Sequence, residues 1–278
     1  MAAFSYQRAA SLDDALSALA GGDAKVIAGG MSLLPLMKLR LASPERLVDI
    51  GRLSELRAIG PTADGGFEVG ALATYADILG ATTLPIAVQC VSDIGDVQVR
   101  NRGTVGGAVS HADPASDLPA LGLALDYSAV LRSSRGERTV PLDGFFLGAF
   151  QTAMAPDELL VKLVRGPLPA GAGGAYKKLR NPASGYSIVG VAAVVAMAGG
   201  TVSHARVALT GVGEVAYRAK EVEAALLGSD GSPAAVSAAA AHATVGQIVN
   251  GDIHADRAYR ASMAVVHTRR AIEAALGR

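Results

Sequence analysis

The sequence predicts an α+β protein divided near residue 170. A Gly-Gly turn at residues 28–32 is followed by a helical pattern, and a second at residues 103–107 is closely followed by another. Residues 167–176 are rich in Gly and Pro, as linkers are. Beyond them, apolar strand patterns precede a long helical tail. These three observations favour separate N-terminal and C-terminal units of mixed structure.

Length and composition limit the class of protein. A chain of 278 residues can bury a sizeable core, as one large domain or two to three small ones. It carries 25 basic and 25 acidic side chains, so it lacks the positive charge typical of a nucleic-acid binder. The single cysteine, Cys90, excludes a disulfide framework and favours a reducing compartment. One cysteine is also too few to hold an iron–sulfur cluster, which normally takes four.

The chain shows no targeting or membrane-spanning pattern. Its start, "MAAFSYQRAASLDD", lacks the basic and apolar regions of a secretory signal. The longest apolar run, residues 188–198, is shorter than the roughly 20 residues of a spanning helix. We therefore expect a cytoplasmic protein without an integral membrane segment.

The first elements follow from capping residues and periodicity. Ser11 predicts the start of a helix over residues 12–19, with Asp13 and Asp14 complementing the helix dipole in the first turn. A strand over 25–28 leads into the first Gly-Gly turn. The next helix begins near Leu33, where Ser32 is the expected N-cap.

The remaining elements are predicted in the same way. The stretch "GFEVGALATYADIL" indicates a strand that runs into a short helix. Short strands with a hairpin at 133–137 are expected between residues 127 and 142. The other predicted strands are 47–50, 187–197 and 202–210, and the other predicted helices are 84–94, 116–125, 221–227, 234–245 and 257–276.

Two glycine turns beside helices suggest a phosphate site. A helix N-terminus offers unpaired amides and the positive end of the helix dipole, and glycine lets a ligand approach the backbone. One such loop is more often an ordinary turn, but two suit a diphosphate held from both sides. Neither loop matches a P-loop or a Gly-x-Gly-x-x-Gly fingerprint, which disfavours those nucleotide sites.

Four motifs carry a family resemblance. "KVIAGGMSLLPLMKLR", "VQVRNRGTVGGAVSHADPASDLPALGLAL", "YKKLRNPASGYSIVGVA" and "AYRASMAVVHTRRAIEAAL" resemble, in that order, the FAD-binding medium subunit of molybdenum hydroxylases. This family includes carbon monoxide dehydrogenase and xanthine dehydrogenase. The resemblance implies a two-subdomain FAD-binding fold of the vanillyl-alcohol oxidase (PCMH) type. A C-terminal domain of a small sheet and helices, of the CO dehydrogenase flavoprotein type, is expected to follow. The expected divisions are residues 1–57, 58–170 and 171–278.

The same resemblance implies an FAD site. Both glycine segments would wrap the diphosphate, Asp117 would meet ribityl or ribose hydroxyls, and Lys178 and Tyr186 would lie near the isoalloxazine. We expect non-covalent FAD, because the first loop has Met31 where His or Gln is common and Cys90 lies outside both loops. Ala108 likewise stands where Ser or Asn is common. The expected cofactor-binding residues are Lys25, Val26, Ile27, Ala28, Gly29, Gly30, Met31, Ser32, Thr104, Val105, Gly106, Gly107, Ala108, Asp117, Lys178 and Tyr186.

Without the resemblance, these side chains have simpler interpretations. Asp117 complements a helix dipole, Lys178 beside Lys177 forms a solvated pair, and Tyr186 is a core ring. His111 either touches the cofactor or lies on the surface at a turn. The histidine spacing predicts no metal site, and neither a nucleophile elbow nor a carboxylate pair indicates a catalytic residue.

The resemblance implies an electron-transfer subunit. A molybdenum large chain would oxidise the substrate, a small chain would relay electrons through [2Fe-2S] clusters, and this chain's FAD would pass them to a quinone, NAD or oxygen. A dimer of heterotrimers is expected. The alternatives are a stand-alone FAD-dependent oxidoreductase with its own substrate pocket and a flavin-free assembly module. Carbon monoxide, a purine, an aldehyde and an aromatic heterocycle remain open as substrates of the molybdenum chain.

Overall fold

A computed structural model describes residues 2–278 and begins with a three-stranded parallel sheet. Its strand order is β1-β3-β2, and α1 and α2 follow β1 and β2. Ser11 caps α1 as predicted, because its side chain accepts a hydrogen bond from the amide of Asp14 at 3.1 Å. These elements are β1 (Ser5–Arg8), α1 (Leu12–Leu19), β2 (Ala24–Ile27), α2 (Leu33–Lys38) and β3 (Arg46–Asp49).

The second part contains a five-stranded antiparallel sheet of order β4-β5-β10-β6-β7. A short 3₁₀ turn, Ser54–Leu56, leads into it. The five strands are β4 (Ile59–Pro61), β5 (Phe67–Gly70), β6 (Ser128–Ser133), β7 (Gly136–Pro141) and β10 (Leu159–Arg165). A small hairpin, β8 (Phe146–Gly148) and β9 (Gln151–Thr152), precedes β10 in the chain.

Five helices lie between β5 and β6 in the chain. They are α3 (Tyr75–Ala81), α4 (Pro85–Ser92), α5 (Val97–Arg100), α6 (Val105–His111) and α7 (Asp117–Ala124). Every residue of α7 is buried, which explains why its sequence is apolar on all sides.

The C-terminal part is a four-stranded antiparallel sheet packed between α7 and three helices. Alternate residues of its long strand β12 belong to two different hydrophobic cores, one on each face of the sheet. Because both faces are covered, the sequence of β12 is a continuous apolar run. The elements are β11 (Gly173–Arg180), β12 (Ser187–Ala198), β13 (Thr201–Thr210), β14 (Tyr217–Arg218), α8 (Lys220–Leu226), α9 (Pro233–Ala240) and α10 (Arg257–Ala275).

Several local predictions need correction. Ser32 does not cap α2 through its side chain, because its backbone is already helical at φ −99 and ψ −48 and the hydroxyl cannot reach back. The expected linker is only partly a linker, since β11 begins at Gly173. Helix α9 ends at Ala240, and turns occupy residues 241–246.

The mixed helix and strand content agrees with the predicted α+β fold class. Seven strands were not predicted, namely β1, β4, β8, β9, β10, β11 and β14. Within residues 2–278, no helix is long and apolar enough to cross a membrane.

Candidate cofactor site

The two glycine loops lie directly against each other. A Cβ added to Gly29 would lie 1.8 Å from the carbonyl oxygen of Arg102 and 3.3 Å from the Cα of Gly103. Such distances are impossible for a real side chain, so only glycine allows this approach. The structure therefore brings together two segments that are more than 70 positions apart, as a diphosphate site would require.

The first loop offers free backbone donors. After β2, the chain turns at Gly30 with a left-handed φ of +76° and enters α2. Across residues 2–278, no backbone acceptor is paired with the amides of residues 29–33. Unpaired amides grouped before a helix form a concave site for an anion.

The backbone amides of the second loop are already paired. The amide of Val105 donates to Ala73 at 2.9 Å, and that of Gly106 donates to Ala71 at 2.8 Å. The side chain of Thr104 caps α6 by accepting from the amide of Gly107 at 3.2 Å. This loop therefore lends shape and dipole to the site, whereas the free amides belong to the first loop.

Gly106 is glycine for a packing reason. A Cβ there would lie 2.5 Å from the Cβ of Ala71 and 2.9 Å from its carbonyl oxygen. The residue is buried, so its missing side chain accommodates the neighbouring strand end. Its expected place in the cofactor site remains a prediction.

Asp117 lies in a buried hydrogen-bond network between α7 and the C-terminal sheet. Its carboxylate accepts from the Tyr176 hydroxyl at 2.6 Å, the Ser187 hydroxyl at 2.6 Å and the Lys178 ammonium at 2.9 Å. Lys178 also donates to the carbonyl of Asp93 at 3.1 Å. The structure thus pairs two of the expected site residues with each other.

Burial raises the pKa of Asp117, and the Lys178 charge and the Ser187 and Tyr176 hydroxyls oppose that rise. The Lys178 side chain is only 2% exposed, so the interpretation of a solvated lysine pair is wrong. Three donors directed at one carboxylate fit its charged form and fix its orientation.

Tyr186 is 46% exposed, so the interpretation of a core ring is wrong. It follows the turn at Gly185, whose Cβ position lies 4.0 Å from the Cα of Gly95. Burial raises the pKa of the Tyr186 phenol, with smaller contributions from Asp113 and Asp117. In the chain, Tyr186 immediately precedes Ser187, whose hydroxyl belongs to the buried network.

His111 is the last residue of α6. Its ring lies 5.0 Å from that of Phe150, and it is partly buried. Burial lowers the pKa of His111, the Asp113 charge opposes this, and the Lys25 charge adds to it.

Tyr75 is a site neighbour that sequence reasoning missed. A Cβ added to Gly103 would lie 2.6 Å from the Cε2 of the Tyr75 ring. The available signal was its place after Thr74, which forms a capping box with Asp77 at the start of α3.

Within residues 2–278, no group of three or more metal-binding side chains is present.

Comparisons with known proteins match the whole chain. A model of the FAD binding domain in molybdopterin dehydrogenase matches residues 2–167. A model of the CO dehydrogenase flavoprotein C-terminal domain matches residues 174–275.

Individual relatives match over nearly their full length. The carbon monoxide dehydrogenase medium chain of Hydrogenophaga pseudoflava is 39% identical, over 99% of this chain and 98% of the relative. The 6-hydroxypseudooxynicotine dehydrogenase complex subunit alpha of Paenarthrobacter nicotinovorans is 37% identical, over 99% and 95%. A solved carbon monoxide dehydrogenase from Hydrogenophaga pseudoflava, which lacks the Mo-pyranopterin moiety of its cofactor, matches with a TM-score of 0.95. That match has 41% identity and covers 99% of this chain and 98% of that chain.

Proposed function

Since the chain belongs to the family of FAD-binding medium subunits of molybdenum hydroxylases, we propose that it carries electrons from a partner's iron–sulfur clusters to an external acceptor. Its cofactor is FAD. FAD accepts electrons singly or in pairs, so it can link one-electron clusters to a two-electron acceptor. The acceptor is a quinone, NAD or oxygen.

The contact between the two glycine loops is the observation that carries this proposal. The five amides of residues 29–33 would bind the diphosphate, and the second loop would bound it from the other side. These residues are partly exposed, so a cluster of free donors next to a helix start is open to a doubly charged group without many cations. The residues present therefore fit the cofactor.

The side chains around this junction have distinct parts in the proposal. Asp117, fixed by three donors, would accept from cofactor hydroxyls with its remaining lone pairs. Lys178 would hold a positive charge near the ring, and Tyr186 would lie against it. The strand residues Lys25, Val26 and Ile27 would support the first loop from below.

We also propose the division into residues 1–57, 58–170 and 171–278. The hydrogen-bonded sheets support it, because the three-, five- and four-stranded sheets fall within these ranges. Met1 lies outside the described residues.

The partners follow from the family. An iron–sulfur small chain and a molybdenum large chain would complete the enzyme, as a dimer of heterotrimers in the cytoplasm. Several relatives bear names of multi-subunit enzymes, including carbon monoxide, glyceraldehyde and caffeine dehydrogenases. In this proposal the molybdenum chain, not this chain, selects the substrate.

Reconstitution tests the proposal. The isolated chain should bind FAD but oxidise no carbon substrate, and adding both partner chains should restore substrate-driven reduction of the flavin. A complex assembled with flavin-free medium chain should still reduce its clusters while failing to reduce the external acceptor. If the isolated chain oxidises an aldehyde, purine or carbon monoxide as fast as the complex, it is a stand-alone flavoenzyme instead.

A further inference from the structure

The hydroxyl of Tyr75 has no assigned role in the site. Its side chain begins α3 and is 9% exposed, so nearly all of the ring is buried. Among residues 2–278 the hydroxyl has no hydrogen-bond partner, yet its oxygen is not one of the sealed polar atoms. A buried phenol normally satisfies its hydroxyl, so the open end of this ring is unusual.

The Tyr75 ring packs closely against the second glycine loop. Added to Gly103, a Cβ would lie 3.0 Å from the Tyr75 Cζ, the ring carbon that bears the hydroxyl. The backbone amide of Tyr75 also donates to the carbonyl of Gly103 at 3.2 Å. The capping box of Thr74 and Asp77 fixes the start of the helix. The hydroxyl is therefore held at a fixed place beside the loop.

Charged and polar groups of the site influence the pKa of this hydroxyl. Burial raises the pKa of Tyr75 well above its usual value, and the Asp117 charge, the Tyr186 phenol and Cys90 add to the rise. The phenol stays protonated at neutral pH and can donate a hydrogen bond. Its ring lies against Gly103 in the loop assigned to the diphosphate, and Asp117 and Tyr186 are near enough to act on its pKa.

We propose that the Tyr75 hydroxyl donates a hydrogen bond to a ribityl oxygen of FAD. In FAD the ribityl chain begins at the diphosphate, so a hydroxyl held beside the second glycine loop is placed to meet that chain. The inference rests on the proposed function, because it needs FAD at the junction of the loops. Tyr75 is a positioning residue: it fixes the chain that sets the ring's distance from the loops.

The Tyr75→Phe variant tests this hydrogen bond. It removes one oxygen and leaves the ring packed on Gly103. FAD affinity of the full-length apoprotein should fall about three- to tenfold, as expected for one hydrogen bond. Affinity for ADP, measured by competition with FAD, should not change, since ADP has the diphosphate but no ribityl chain. Unchanged ADP binding also shows that the loops are folded.

Tyr217→Phe is the matched control. Tyr217 is also a buried tyrosine, but it lies in the C-terminal core and donates to the carbonyl of Ala243 at 2.9 Å. Its variant should keep the affinity for FAD even if it melts earlier.

Two results would overturn the inference. Unchanged FAD affinity in Tyr75→Phe shows that the hydroxyl binds no part of the cofactor. Equal losses for FAD and ADP place the hydroxyl on the diphosphate or on the fold itself. A wild-type chain that binds no FAD overturns the proposed function first, so the two failures can be told apart.

Discussion

At the scale of single residues, the site depends on glycines as much as on residues with polar side chains. Gly29 and Gly103 let the two loops and the Tyr75 ring approach to distances that a Cβ would forbid. The polar groups that remain at the junction are backbone amides, which carry no sequence signature. A bulky residue at either position therefore alters the site without removing any charged group.

Gly29→Ala should separate the loops. The new methyl group would collide with the Arg102 carbonyl, so we expect FAD affinity to fall at least tenfold and stability to fall by about 1–3 kcal/mol. Flavin titration and urea unfolding measure both effects. Gly80→Ala is the control, because its Cβ would meet nothing within 4 Å and alanine favours a helix. Equal FAD affinity in the two variants would contradict the loop contact.

Tyr186→Ala should change the flavin and leave the fold intact. Because the ring is 46% exposed, we expect a stability change within about 1 kcal/mol. The flavin absorption maxima or reduction potential should shift if the ring lies against the isoalloxazine. Tyr259→Ala, at 47% exposure on α10, should leave both unchanged. A large drop in melting temperature with an unaltered spectrum would show that Tyr186 only supports the fold.

The flavin should be released by acid. Met31 has no imidazole or thiol to attach the flavin, and Cys90 is fully buried with its pKa raised by burial. After acid precipitation of the holoprotein, the yellow colour should remain in the supernatant. A yellow pellet would show covalent attachment, and peptide mapping would then test His111.

At the scale of elements, α7 and β12 are the most deeply enclosed segments and meet at Asp117 and Ser187. The hydroxyls of Ser187 and Tyr176 and the ammonium of Lys178 tie the first turn of the helix to the sheet. The network thus joins the two parts of the chain at the site where the cofactor is expected.

Breaking the Asp117–Lys178 pair should be costly. Asp117→Asn leaves a buried ammonium without its counter-ion, so we expect a loss of about 3–5 kcal/mol in unfolding free energy of the apoprotein. The double variant Asp117→Asn with Lys178→Met should lose less than the sum of the single variants. The exposed Lys220–Asp143 pair is the control, and Lys220→Met should cost less than about 1 kcal/mol. Additive losses would show that the buried pair is not coupled.

At the scale of the whole molecule, the main core crosses the expected boundary near residue 170. Tyr176, Ala192, Val194 and Ala208 of the C-terminal sheet belong to the same core as the five-stranded sheet. The second face of that C-terminal sheet packs on α8, α9 and α10. The site consequently needs both parts of the chain.

Residues 1–170 alone should therefore fail to form the site. Removing the C-terminal part exposes α7 and leaves Asp117 without its three donors. We expect this fragment to bind a hydrophobic dye and no FAD, whereas the full chain binds FAD. Native-like melting with undiminished FAD affinity would show that the N-terminal part is independent.

Much of the local structure was predictable from sequence. Ser11, the first glycine turn and the hairpin near residue 135 each act within a few neighbouring residues, and the corresponding elements are present. The second turn, predicted over 103–107, is wrong in part, because Val105–His111 form α6 and Gly106 and Gly107 lie in its first turn. The central strand β10 was missed, although it pairs with both β5 and β6. Its apolar residues enter two different cores, so no simple alternation marks it.

The family, the FAD cofactor and the turn at Gly30 could be predicted from the sequence alone. Caps, turns and periodicity act over short stretches of chain, and the family motifs are contiguous. The tertiary structure alone decided that Lys178 is buried against Asp117, 61 positions away, and that the first loop keeps its amides free while the second does not. Both outcomes depend on which distant residues pack beside Lys178 and beside each loop. The packing of the elements in the folded chain determines those neighbours.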